Sequence, residues 1–264
     1  MSLRDSLPTL AHGLENTGMY HPLRNAYLRV FKHHYWEHQV VSLRRFYAPF
    51  VRPGSLVFDC GANRGEFTQA FLHLGAIVIA VEPMPAMIAK LRVIRNKRLT
   101  VVPCAVGREP GVVPLYVSER SDISSMSPDW LSVVSRNDGW AGELRWTGSV
   151  NCTMTTLDAL IEQFGMPEFI KIDVEGFELE VLSGLSKRPR LLSFEFNSAS
   201  IDSAHACIGR FPRDAQFNYI IGEPSGAAAM ALSEWVDAER MTQIVHDKLA
   251  CCRTFGDIFV QCAR

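Results

Sequence analysis

The chain has 264 residues, 47% hydrophobic and 21% charged, a balance that excludes disordered and fibrous classes and leaves room for one large buried core. Its formal net charge of -1 supplies no overall field for nucleic acid or anionic lipid, so any charged partner must be recognised locally. No apolar run reaches the roughly 18 to 20 residues that span a bilayer, and the N-terminus lacks the charged, apolar, small-residue order of a signal peptide, so a soluble cytoplasmic protein without a transmembrane segment is expected.

Over 25–50, apolar residues such as Tyr27, Leu28, Val30, Phe31, Val40, Leu43 and Tyr47 recur at helical spacing and predict an amphipathic helix. Its His33-His34-Tyr35-Trp36 cluster belongs either to the core or to a substrate entrance. Arg52-Pro53-Gly54 ends the helix, because proline disfavours helix at the residue before it and glycine accepts left-handed geometry. Short apolar runs then alternate with helical segments: strands over 57–58, 77–81 and 99–102, helices over 66–74 and 85–95. Strand, helix, strand, helix, strand is half of a doubly wound sheet. A strand over 112–117 follows, then a polar stretch, then 129–148 with Trp130, Trp140 and Trp146, read as a lid, a substrate wall or a surface insertion. The alternation returns with helix 157–164, strand 169–172, helix 175–185 and strand 191–196. Strands over 219–221 and 257–261 flank a last helix over 233–249. The expected organisation is an N-terminal helical extension over 1–50 on a Rossmann-like domain over 51–264. Seven scattered cysteines with no CxxC pair form neither a disulfide framework nor a zinc pattern and read as reduced, buried thiols. Cys60 is small enough to pack between strand and turn, which suits it better than a nucleophile's role.

The strongest local signal is the run from Val57 to Thr68, in which an apolar strand enters a glycine turn and then a helix. Gly61 and Gly65 let a ligand approach the backbone. The loop reads G-x-N-x-G, not the G-x-G-x-x-G that seats a pyrophosphate on a helix N-terminus. Asp59, just before the turn, would repel a pyrophosphate and attract a cationic amine. Glu82 ends the second strand, where a carboxylate accepts hydrogen bonds from ribose hydroxyls. Asp59 and Glu82 as plain solvated strand-end acids is the alternative. A second signal runs from Phe169 to Glu180, with Lys171, Asp173 and Glu175 at alternate positions around a strand's carboxyl end. They would converge on a reacting centre, or Lys171 and Glu175 would only pair, or Glu175 and Glu178 would favour the next helix through its dipole.

The ordered segments VFDCGANRGEFT, AVEPMP, VPCAVG, TTLDAL, FIKIDVEGFELEVLSG and LLSFEF resemble the FkbM family of methyltransferases. The resemblance implies a class I methyltransferase fold, Rossmann-like, with a mostly parallel seven-stranded sheet and helices on both faces. It implies S-adenosylmethionine as cofactor and a hydroxyl acceptor on a small molecule, sugar or lipid-linked precursor. By position Asp59, Gly61, Asn63 and Gly65 would line the methionine end, Glu82 would hold the ribose, and Pro83 and Met84 would lie against adenine. Ala105 falls where many class I enzymes carry an acid facing the adenine amine, so that contact must come from backbone or a neighbour. Asp173 is the expected group that orients or deprotonates the acceptor, with Glu175 and Glu195 beside it as further catalytic candidates. Glu195 and Asn197 share a strand face; with Asp173 they suit magnesium or calcium, or else Glu195 caps the sheet and Asn197 starts a turn. The competing functions are a nicotinamide-dependent oxidoreductase and a non-catalytic cofactor-binding protein; oligomeric state has no signal.

Overall fold

The computed structural model describes residues 36–119, 124–136, 146–224, 229–250 and 254–262. His33, His34, Tyr35, Trp140 and the Cys251-Cys252 pair lie outside them. The main sheet has seven strands: β1 Leu56–Cys60, β2 Ile77–Val81, β3 Leu99–Val102, β7 Phe169–Ile172, β8 Leu191–Asn197, β9 Gln216–Tyr219 and β10 Phe255–Gln261. Their spatial order is β3-β2-β1-β7-β8-β10-β9. Every pair from β3 to β8 is parallel, and β10 runs antiparallel to both β8 and β9. This is the class I methyltransferase arrangement, with the order reversing between β1 and β7, the place where open α/β sheets hold ligands.

The central strands are continuous apolar runs because both faces are covered. One face carries Phe58, Ile170, Phe194 and Ile258 under α5 Leu157–Phe164 and α7 Ile201–Ile208. The opposite face carries Val57, Phe169 and Phe259 under helix α1, residues 36–47, and α2 Glu66–His73. Tyr47 is fully buried there, with ring centroids of Phe71, Phe169 and Phe259 5.1, 5.5 and 6.3 Å away. Period-two alternation places Asp59, Lys171, Ser193, Glu195 and Asp257 on this same face: Asp59 lies opposite Lys171, Lys171 opposite Ser193, and Glu195 opposite Asp257. A charged row therefore crosses the sheet toward its carboxyl edge.

Several boundaries differ from expectation. The strand expected over 112–117 is β5 Gly111–Ser118, and it pairs antiparallel with a ten-residue strand that was not expected, β6 Trp146–Thr155, which begins inside the tryptophan-bearing insertion. With β4 Ala105–Val106 they form a second sheet, order β4-β6-β5. β6 is mostly exposed, so no buried face marked it in the sequence. The helix expected over 175–185 is α6 Glu178–Ser183, because Glu175 and Gly176 have φ of +56° and +84° and cannot be helical. Helix α3 stops at Pro85–Leu91. The last helix is α8 Ala238–Ile244, capped by Asp237 accepting the Arg240 N–H at 2.8 Å, and it passes into a π-turn over Val245–Leu249. No helix among the described residues is long and apolar enough to cross a membrane.

Candidate active site

A cavity of about 1280 Å³ opens over the carboxyl ends of β1, β2, β7 and β8. The turn after β1 forms its floor. Gly61 has φ +83°, and a Cβ there would stand 1.7 Å from the Asp173 carbonyl oxygen, so only glycine lets this turn pass the end of β7. Asn63, with φ +45°, lines the cavity, and its Oδ1 is buried with no hydrogen-bond partner among the described residues. Gly65 serves packing instead: a Cβ there would meet the Leu91 and Ile94 side chains at 2.9 and 3.0 Å, and Gly65 does not line the cavity.

Glu82 fixes that turn from the end of β2. Its Oε2 accepts the Asn63 N–H and its Oε1 the Met84 N–H, each at 2.8 Å. Each oxygen keeps a lone pair for a ligand hydroxyl. Burial pushes its carboxyl up to about 7, against the pull of the Met84 and Asn63 N–H groups. Pro83, Met84 and Ala105 line the same end. Met84, Ala105, Leu115, Met126 and Cys152 form one buried apolar cluster, which makes that end an apolar slot beside a two-oxygen acceptor.

The other end is acidic. Asp173, Glu175 and Glu195 line it, and one carboxylate oxygen from each lies within 4.8 Å of the others. Behind them Lys171, 1% exposed, places Nζ 2.6 Å from Asp173 Oδ2 and 3.9 Å from the centroid of the Phe67 ring. Lys171 is absent from the cavity wall, so of the three residues expected to converge only Asp173 and Glu175 reach it, and the lysine pairs with Asp173, not Glu175. Although burial alone would lower it, the charges of Asp173, Asp257 and Asp59 hold its ammonium well above the usual range. Burial, then Asp173 and Glu175, pushes the Glu195 carboxyl well up.

Asp59 stands apart from the loop it precedes. It is fully buried, off the cavity wall, and its Oδ2 accepts the Thr68 hydroxyl at 2.5 Å. Burial raises its carboxyl, with Lys171 and Thr68 opposing. Asn197 also turns from the cavity: its side chain accepts the Ala199 N–H at 2.9 Å and caps the Ser198–Ser200 turn, so Glu175 takes the third place beside Asp173 and Glu195. Glu178 is a loop cap, its Oε1 taking the N–H groups of Val174 and Gly176 at 3.1 and 3.2 Å. Cys60 is buried and free, and burial followed by Asp59 pushes its thiol up, away from nucleophilic use.

Sequence reasoning passed over Asp257. It lines the cavity, accepts from the Tyr47 hydroxyl at 3.4 Å, and is pushed up to about 6 by burial, with Lys171 opposing. The signal was present, since a carboxylate inside the run Phe255–Gln261 has no solvent-facing reason to be there. Trp36 lines the cavity from α1, beside Gln39, whose Nε2 donates to Glu223 at 2.5 Å.

Residues 59–219 match the model of the FkbM methyltransferase domain. The 31-O-demethyl-FK506 methyltransferase FkbM of Streptomyces tacrolimicus is 32% identical over 180 residues, which is 58% of this chain and 69% of that protein. Among solved structures, a precorrin-6y C5,15-methyltransferase from Geobacter metallireducens aligns with TM-score 0.40 and 9% identity over 86% of this chain and 89% of its own. An rRNA methylase from Streptococcus thermophilus aligns with TM-score 0.40 and 11% identity over 84% and 94%. Likenesses that distant transfer neither substrate nor reaction. The match over residues 59–219, together with the relative from Streptomyces tacrolimicus, shows that the chain belongs to the FkbM methyltransferase family.

Proposed function

We propose that the protein moves a methyl group from S-adenosylmethionine to a hydroxyl oxygen of a small-molecule, sugar or lipid-linked acceptor. The carrying observation is the division of one cavity into an apolar end with the Glu82 acceptor and an acidic end with Asp173. The parts suit the cofactor: Glu82 would accept from the ribose hydroxyls, the Met84, Ala105 and Leu115 slot would cover adenine, and the orphaned Asn63 Oδ1 would accept from the amine of the methionine end. The bound cofactor would supply an electrophilic methyl carbon on a sulfonium. The chain's own work is alignment and proton transfer. Asp173, with Oδ2 tied to Lys171, takes the acceptor hydroxyl proton on Oδ1 as the new O–C bond forms and the old C–S bond breaks. The Streptomyces tacrolimicus relative is named for an O-demethyl acceptor, in keeping with oxygen as nucleophile.

Incubation with methyl-labelled S-adenosylmethionine and fractionated metabolites, followed by mass identification, is expected to give a labelled methyl ether. Calorimetric titration should show S-adenosylhomocysteine binding and no tight NAD binding. Tight binding of NAD alone would replace the reading with the oxidoreductase, and cofactor binding without transfer to any fraction would favour a binding protein.

Three carboxylates this close favour either protonation of one or a divalent cation bridging them. Asp173 already has the Lys171 ammonium and Asn197 is committed to its turn. Turnover is therefore expected to survive EDTA; loss restored by magnesium would instead assign a metal to Asp173, Glu175 and Glu195.

A further inference from the structure

We propose that Ser125 and Trp130, in the segment between β5 and β6, position Glu175 in the cavity and so set the affinity for the acceptor. The proposal rests on the methyltransferase reading above and gives the tryptophan-bearing insertion a role. Glu175 sits at φ +56°, a conformation that a side-chain-bearing residue holds only when its surroundings over-determine it.

Two groups from the insertion supply that constraint. The Ser125 hydroxyl, 1% exposed, donates to the Glu175 carbonyl oxygen at 2.5 Å. Trp130, 4% exposed, lies against Gly176, where a Cβ would come 2.7 Å from both Cβ and Cγ of the tryptophan. The clamp is itself braced. Ser125 exchanges backbone hydrogen bonds with Tyr116 on β5, its Oγ also accepts the Ser127 N–H at 3.0 Å, and the Ser127 Oγ accepts the Trp130 N–H at 3.1 Å. From below, Glu178 holds the N–H groups of Val174 and Gly176. Along this segment Ser124 and Met126 line the cavity while Ser125 grips the β7–α6 loop. The same strap that walls the apolar end therefore fixes a carboxylate at the acidic end, next to Asp173 and away from Glu82.

The test uses crystals of wild type, S125A and G176A grown with S-adenosylhomocysteine, together with acceptor kinetics. G176A disturbs the clamp from the opposite side and keeps the test decisive if S125A folds poorly. In both variants Glu175 is expected to leave its left-handed conformation and swing from the cavity while S-adenosylhomocysteine affinity stays unchanged. For the acceptor isolated by labelling, KM should rise about tenfold, the scale of one lost hydrogen bond, with kcat retained at saturation and KM restored in S125T. Glu175 unmoved in the variants, or cofactor affinity weakening along with the rise in acceptor KM, overturns the proposal. Failure of wild type to bind S-adenosylhomocysteine would overturn the methyltransferase reading instead, and Glu175 would still be read in the ligand-free crystals.

Discussion

Asp173→Asn is expected to lower kcat by about 10²- to 10⁴-fold, the usual worth of a positioned general base, while S-adenosylhomocysteine still binds. The asparagine keeps the size and hydrogen-bonding shape of the side chain but has no oxygen that takes up a proton. The cofactor end is spared, because Glu82 makes its contacts through Asn63 and Met84, on the far side of the Gly61 turn. The fold is also spared, since Lys171 keeps Asp59 and Asp257 as neighbouring charges. Binding is measured by calorimetry and turnover by label transfer to the acceptor. Unchanged turnover with the true acceptor would remove Asp173 from the chemistry and leave orientation by other groups as the source of rate.

The central sheet was legible because its strands are buried on both faces: runs such as Ile77–Val81 and Phe169–Ile172 cannot be solvated, and their spacing fixes crossover helices. β6 was not, because Trp146–Thr155 is held by pairing with β5 and β4 and not by a buried face. Its serine, threonines and asparagine therefore read as loop. The start of α6 was misplaced for a related reason. Glu175 owes its left-handed φ to partners about fifty residues upstream, and no local pattern records them.

At the site, Glu82, Gly61 and Asp173 were legible from strand ends alone. Asp59 shows where that logic stops. Its place before a glycine turn suggested a ligand contact, yet its side chain points to the face shared with Lys171, across the β1–β7 register. That pairing joins strands more than a hundred positions apart, so the sheet order had to be known before the buried charge row was visible. The expected convergence of Lys171 with Asp173 and Glu175 on a reacting centre meets the same gap: alternate spacing brought the three to one strand end, whereas the lysine lies one layer deeper, paired with Asp173.

That deeper layer carries the largest stability effect. Lys171→Met is expected to cost about 3 to 5 kcal/mol near neutral pH, as when one partner of a buried ion pair is deleted. Methionine fills the volume beside the Phe67 ring, but Asp59, Asp173 and Asp257 lose their common counter-charge. Buried Asp59 and Asp257 already have carboxyls raised by burial, Asp257 to about 6, and Lys171 is the first group that lowers them. Without it both rise further. A carboxyl whose folded pKa exceeds its unfolded value stabilises the fold below the unfolded value and loses that contribution as pH climbs through the folded one. The variant should therefore recover part of its deficit when pH falls from 8 to 5, where the folded state takes up protons that the unfolded chain releases. Urea denaturation of both proteins at the two pH values measures this. A deficit equal at both would mean that lost packing, not stranded carboxylate charge, accounts for it.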